Sequence, residues 1–209
     1  DVTGVTLMRI MPKMDSGPIV DSEASLITIE DTGKILRNKI AQSCIPLIKR
    51  NIQKLVSGIA NEVIQVEADS TYCRKLNKED GNLNFSASAK LLANHIRAFQ
   101  AWPGCGFYLH GQKIRIGSAQ AKSENYSLKI GEAIRDENGS FMIGTGDGTL
   151  CILEMQKPGG KMLKVSDFFH GFNFPFGQIL ESGEMKDLVL CDKRLGNHRF
   201  CESAHASEI

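Results

Sequence analysis

One carboxylate in this chain stands apart from the other acids: Asp15, in the stretch Pro12-Lys13-Met14-Asp15-Ser16-Gly17-Pro18-Ile19-Val20. It lies among apolar residues, directly ahead of Ser16-Gly17. A carboxylate that follows a strand, at the loop edge of an α/β sheet, sits where such folds place ligands and catalysis. There it can relay a proton or order a water for proton transfer. The same residues are also turn chemistry, because Asp and Ser side chains bond nearby backbone N–H groups and glycine tolerates positive φ. Taken alone, Asp15-Ser16-Gly17 supports both readings.

Three other groups of residues carry chemical potential. Gly144-Thr145-Gly146-Asp147-Gly148 looks like a phosphate loop but lacks the lysine-hydroxyl ending and a following helix. Strand-like segments flank it, so a hairpin turning at Asp147-Gly148 is expected. Cys191, His198, Cys201 and His205 are metal-ligating types, but their spacing is not one of the usual structural zinc patterns; no metal is expected. Lys75, Lys78, Lys90, Arg97, Lys113, Arg115 and Lys122 make up most of a basic middle segment. Lys113 and Arg115 alternate with Ile114 and Ile116, which puts both charges on one face of a strand. A basic face of this kind holds polyanions through phosphate contacts without reading sequence. A plain solvated face is the other reading of the same charges. Trp102, the single tryptophan, is expected as a core anchor where a helix meets the sheet, with base stacking as the lesser reading.

The elements that must position these residues belong to a chain of 209 residues, enough for one large domain or two small ones. Hydrophobic residues make up 42% and charged residues 23%, an ordinary globular balance. No apolar run approaches the roughly 20 residues of a membrane helix, and no basic-then-apolar leader is expected. The net charge of +1 argues against a general nucleic-acid binder. It hides an uneven distribution: residues 71–122 hold eight Lys/Arg against only Glu79 and Asp80. The first residue is Asp1 and an apolar segment follows at once, so a chain entered in mid-domain, a fragment or processed product, is expected. Six dispersed cysteines without a C-x-x-C indicate a reducing, cytosolic-type compartment without disulfides.

Residues 5–10 read as a strand and residues 18–27 as a second extended stretch. Thr28-Ile29-Glu30-Asp31 has the spacing of a helix start. Apolar residues from Ile35 to Leu55 then recur at helical spacing, with Pro46 expected to kink or divide the helix and Gly58 to stop it. A linker-like region covers residues 59–82. Ser86 or Ser88 can cap a short helix through Leu91, Leu92, Ile96 and Phe99, which Pro103-Gly104 ends. Beyond it the chain looks all-β. A hairpin is expected to turn near His110-Gly111-Gln112, and three more strands to be separated by Asn138-Gly139 and Asp147-Gly148. Five or so short strands after a helix suggest a small barrel. Ser166–Phe169 reads as a last helical turn, and residues 181–209 lack periodicity.

The segments TGVTLMRI, MDSGPIV, TYCRKLNKED, HIRAFQAWPG, TGDGTL and MQKPGGKML occur in an order that resembles the C-terminal two-thirds of the methionyl-tRNA formyltransferases, over about residues 3–180. The resemblance implies α/β followed by all-β: the end of a doubly wound formyltransferase domain, then an open, OB-like β-barrel. It divides the chain into 1–60 (end of the catalytic domain), 61–79 (linker), 80–180 (tRNA-binding barrel) and an atypical tail, 181–209.

It also implies a reaction: transfer of a formyl group from 10-formyltetrahydrofolate to the amino group of initiator methionyl-tRNA. The family's site uses an Asn, a His and an Asp. The Asp matches Asp15; the N-x-H segment lies upstream in the family and has no counterpart in this chain, so the chain alone is expected to be inactive. The loop along the folate corresponds to Met11, Pro12, Lys13 and Met14, although many members have an acid and a glycine where Met11 and Lys13 stand. Lys75 and Lys78 would lie near the acceptor end of the tRNA, with Lys113, Arg115, Lys157 and Lys161 as weaker candidates on the barrel. A cytoplasmic monomer without membrane contact or metal is expected. The other readings are a non-catalytic RNA-binding barrel, or a related folate-using hydrolase or sugar-amine formyltransferase.

Overall fold

The structure is a computed structural model and describes residues 2–122 and 126–192, with side chains described as far as residue 189. In chain order its elements are β1 (Val2–Met8), β2 (Ile19–Leu26), α1 (Gly33–Val56), β3 (Thr71–Cys73), α2 (Ala89–Phe99), β4 (Gly106–Leu109), β5 (Gln112–Lys122), β6 (Ala133–Arg135), β7 (Phe141–Gly144), β8 (Thr149–Gln156), β9 (Leu163–Lys164), α3 (Val165–Phe168) and β10 (Val189–Asp192). The described residues form two compact units, residues 2–75 with 187–192, and residues 76–186.

In the first unit β1 and β2 are an antiparallel pair, in register from Val2↔Leu26 to Leu7↔Asp21 and bulged at Met8. The strand begins earlier than its apolar residues suggest, because Thr3 and Gly4 continue the pairing. Gly4 has no room for a side chain: a Cβ there would lie 2.4 Å from the Glu23 carbonyl oxygen. The helix start is displaced from the expected Thr28. Thr28 N–H donates to the Asp31 carboxylate at 2.7 Å and Asp31 N–H to Thr28 O at 3.2 Å. Asp31 also pairs with Lys39 at 2.7 Å. That closed turn precedes the helix, and Thr32 is the N-cap, its hydroxyl accepting from Ile35 N–H at 3.3 Å. Pro46 does not divide α1, which runs unbroken for 24 residues. Gly58, at a φ of 69°, ends it in the left-handed conformation that glycine permits.

A polar cluster docks α1 on the hairpin. Arg50 donates to Asp21 at 2.6 Å and to Ser22 O at 2.8 Å, and it also pairs with Glu23. The buried Asn51 donates to Asp21 at 2.6 Å and to Leu47 O at 2.9 Å. Much apolar surface stays exposed in this unit, including Ile29, Ile45, Ile52, Val56 and Ile64. The expected doubly wound sheet is represented among the described residues by one antiparallel pair and one helix. The tail, read as aperiodic, contributes β10, which pairs antiparallel with β3.

The second unit is built on an antiparallel sheet of order β4-β5-β8-β7-β6, with β9 on β8. β4 and β6 are its ends and do not pair with each other, so the sheet is open. Ser88 caps α2, its hydroxyl accepting from Leu91 N–H at 3.3 Å. The buried stripe of α2, Ala89, Leu92, Ile96 and Phe99, has the spacing of a core-facing helix. It joins Ile114, Ile116, Phe141, Ile143, Leu150, Ile152 and Met155 in the core. Phe107, Phe141, Phe169, Phe174 and Phe176 close one side as an edge-to-face and tilted cluster, with centroids 4.9–6.4 Å apart. His110 and Gly111 make the β4–β5 turn with φ of 49° and 75°, the type I′ signature. Trp102 departs from expectation: it is 52% exposed. Phe99 fills the place at the end of α2 that the tryptophan was expected to take.

Candidate functional site

Asp15 sits in the connection between β1 and β2, exposed to solvent and with a φ of 53°. The left-handed residue of this turn is therefore the aspartate, not the glycine that follows it. Gly17 is required for a different reason. It is buried, and a Cβ there would lie 1.7 Å from the Arg9 carbonyl oxygen. The turn is closed by Ser16 Oγ donating to Lys13 O at 2.8 Å and by Arg9 N–H donating to Pro18 O at 3.0 Å. The Asp15 side chain itself makes no hydrogen bond among the described residues, so its carboxylate is available to a ligand.

The residues assigned to a folate contact, Met11, Pro12, Lys13 and Met14, form the exposed rim of the same connection. Lys13 pairs with Glu67 at 3.0 Å, and Arg9 pairs with Glu62. Both acids raise the pKa of the cation they face, through the hydrogen bond first. Sequence reading passed over Gln65, whose side-chain nitrogen donates to Asp15 O at 2.9 Å and to Gly17 O at 2.6 Å. Only its place in an otherwise apolar run, Val63-Ile64-Gln65-Val66, could have drawn attention to it.

The basic candidates fall into two physical groups. Lys75, Lys78, Lys157 and Lys161 are exposed. Lys157 opens the turn after β8, where its carbonyl accepts from Gly160 N–H at 2.9 Å. Lys113 and Arg115 share one face of β5, as their spacing requires, but both are half-buried. The Lys113 amine lies 3.5 Å from where a Cβ on Gly81 would sit, and burial pulls its pKa down. The Arg115 guanidinium fills the space over Gly104 and donates to the Gln156 side chain at 3.3 Å. These two cations prop neighbouring segments, because the Gly81 turn and the Gly104 loop cover that face of the strand.

Two motifs resolve into framework. Asn77 and Asp80 form a reciprocal capping box, Asn77 N–H donating to Asp80 at 2.7 Å and Asp80 N–H to Asn77 at 3.2 Å. His95 then bonds Asp80 O at 2.7 Å and stacks edge-on against Phe99 at 4.6 Å. Burial lowers its pKa, which suits a packed neutral ring. Gly144–Gly148 forms the expected hairpin: Thr145 Oγ1 donates to Asp147 O and Gly148 O, and Gly146 N–H donates to Phe85 O and Ala87 O. Of the proposed ligating set, Cys191 is described only in its backbone, and His198, Cys201 and His205 lie outside the described residues. Cys105 and Cys151 are buried free thiols, and burial pushes Cys105 up to about 12, so it behaves as a small hydrophobe. Among the described residues no helix is long and apolar enough to cross a membrane.

Comparison with known proteins gives these features a context. Residues 75–173 match the formyl transferase C-terminal domain. The methionyl-tRNA formyltransferase of Pseudomonas fluorescens is 31% identical over 180 residues, covering 85% of this chain and 56% of the relative. That of Syntrophomonas wolfei is 32% identical over 183 residues, covering 87% and 58%. Among solved structures, the N-formyltransferase of Helicobacter canadensis in complex with folinic acid and dTDP-3-aminofucose is similar with a TM-score of 0.59 and 26% identity, over 75% of this chain and 56% of that one. The chain thus spans little more than half the length of these relatives.

Proposed function

We propose that this chain, which aligns over 180 residues with the methionyl-tRNA formyltransferase of Pseudomonas fluorescens, belongs to a protein that transfers a formyl group from 10-formyltetrahydrofolate to the amino group of initiator methionyl-tRNA. The observation that carries the proposal is the extent of the match. The 180 aligned residues are more than the chain holds from residue 75 onward, so the likeness reaches beyond the C-terminal domain into the unit that carries Asp15.

The chemistry gives each part a task. A protonated amine is not a nucleophile, and its neutral form attacking the formyl carbon builds an oxyanion that needs positioned donors. The resulting zwitterion must lose an amine proton while the folate nitrogen gains one as it leaves. Asp15 serves these transfers by orienting a histidine and a water, with the histidine and an asparagine supplied by a segment outside this chain. Met11–Met14 line the folate. Lys75 and Lys78 approach the acceptor end of the tRNA, and Lys157 and Lys161 extend the phosphate contacts; Lys113 and Arg115 contribute charge from behind. The exposed isoleucines and valines of residues 1–75 fit a unit that completes a doubly wound sheet with that further segment. The domain plan of 1–60, 61–79, 80–180 and 181–209, the OB-like character of the barrel, a monomeric state and a cytoplasmic setting belong to the same proposal.

The test is formylation of methionyl initiator tRNA with purified proteins. A full-length protein containing this chain is expected to catalyse it, and the 209-residue chain alone to show essentially none. Formylation of an amino sugar but not of the tRNA would instead establish the related sugar-amine activity. Binding of RNA by a full-length protein with no transfer to any acceptor would establish a non-catalytic module.

A further inference from the structure

The connection that carries Asp15 is held by a segment about fifty residues further along. Residues 63–67 follow residues 19–13 in antiparallel order. Ile19 and Val63 exchange two backbone hydrogen bonds of 2.8 Å, Gln65 reaches Gly17 and Asp15, and Glu67 meets Lys13. Of these contacts, the one from Gln65 reaches the aspartate's own backbone, bonding the carbonyls of Asp15 and Gly17 on either side of Ser16. Both partners are carbonyl oxygens, which only accept, so the amide nitrogen is the atom that faces them. Asp15 holds a φ of 53°, a conformation disfavoured for a residue with a Cβ. Such a conformation persists where its surroundings over-determine it.

We propose that Gln65 is the positioning residue for Asp15: its amide clamps the carbonyl of Asp15 itself and that of Gly17 two residues on, pinning the backbone where it leaves the turn, and so fixes the direction in which the carboxylate leaves the backbone. The assignment rests on the reading of Asp15 as catalytic. Gln65 touches no substrate in this role, and its effect passes through the backbone. Gln65→Glu keeps the shape but sets acceptor oxygens against two carbonyls. Gln65→Lys keeps a nitrogen donor at similar reach.

The experiment uses the active full-length protein and measures kcat, the KM for tRNA, and amide hydrogen exchange over residues 13–19. Gln65→Glu is expected to lower kcat roughly 10- to 100-fold, the scale of a misplaced catalytic group. It should leave the KM for tRNA within about twofold and speed exchange only in that segment; Gln65→Lys should recover part of both losses. Gln65→Ala supplies the same comparison if the glutamate variant does not fold. Wild-type kcat in Gln65→Glu and Gln65→Ala, beside an Asp15→Asn protein that has lost turnover, would overturn the positioning role alone. Full turnover in Asp15→Asn would overturn the catalytic reading itself, and the role of Gln65 with it.

Discussion

At the scale of single residues, the turn reading and the chemical reading of Asp15 turn out to be compatible. Asp15 occupies the left-handed position of the connection, and its side chain remains exposed without a bond among the described residues. The turn therefore uses the backbone of the residue and leaves its carboxylate exposed for the proposed chemistry. Replacing Asp15 with alanine in the full-length protein is expected to lower kcat by about 10²- to 10⁴-fold, the range for a lost general acid–base group. The dissociation constant for tRNA should stay nearly unchanged, and a binding assay beside the turnover assay checks this; a large loss of affinity would refute the catalytic assignment. The type and place of Asp15 were legible in Met14-Asp15-Ser16-Gly17. The need for Gly17 to lack a side chain was not, because it arises from the approach of Arg9 O, eight residues earlier.

Among the elements, α1 shows how charged groups dock a helix on a two-stranded hairpin too small to bury it by apolar packing alone. Arg50 and Asn51 hold the Asp21 carboxyl well below the usual carboxylate range, the Arg50 hydrogen bond being the largest cause. A depressed carboxylate pKa stabilises the fold above the unfolded-state value of about 3.9. That contribution is lost as pH falls through the lower folded-state value. Urea unfolding followed by helical circular dichroism, which α1 dominates as the longest helix, should show Asp21→Asn less stable than wild type at pH 7. The gap should narrow below about pH 4, and a gap constant down to pH 2.5 would exclude the linkage. In the other unit, a Gly146→Ala side chain would lie 1.9 Å from Ser86 O. That substitution should cost more in thermal stability than Ser88→Ala, a cap loss of about 1 kcal/mol. Equal melting temperatures for the two variants would contradict the close approach. Ser88, His110-Gly111 and Asp147-Gly148 were readable because caps and tight turns depend on a few neighbouring residues. Thr28 misled because Asp31 satisfies it in a local turn one residue ahead of the true cap.

Over the whole molecule, a net charge of +1 conceals a middle segment rich in Lys and Arg, and proposed tRNA binding should report it through salt. For the full-length protein, affinity for tRNA should fall steeply between 50 and 200 mM salt, as counterion release requires. Replacing both Lys75 and Lys78 with glutamate should reduce the slope of log affinity against log salt by about 2, near one per lost phosphate contact. An unchanged slope would place those lysines away from the phosphates. Sequence by itself determined the order of elements, most turns and caps, the basic middle and the one chemically prominent carboxylate, since composition, periodicity and turn chemistry are local properties. Tertiary structure alone decided that Trp102 stands exposed, that Lys113 and Arg115 are half-buried, that β10 pairs with β3, and that Gln65 bonds the backbone carbonyls of Asp15 and Gly17. The physical reason is common to all four: each depends on which distant segment covers a given surface. In the last case the two residues are 50 positions apart, beyond the reach of any local pattern.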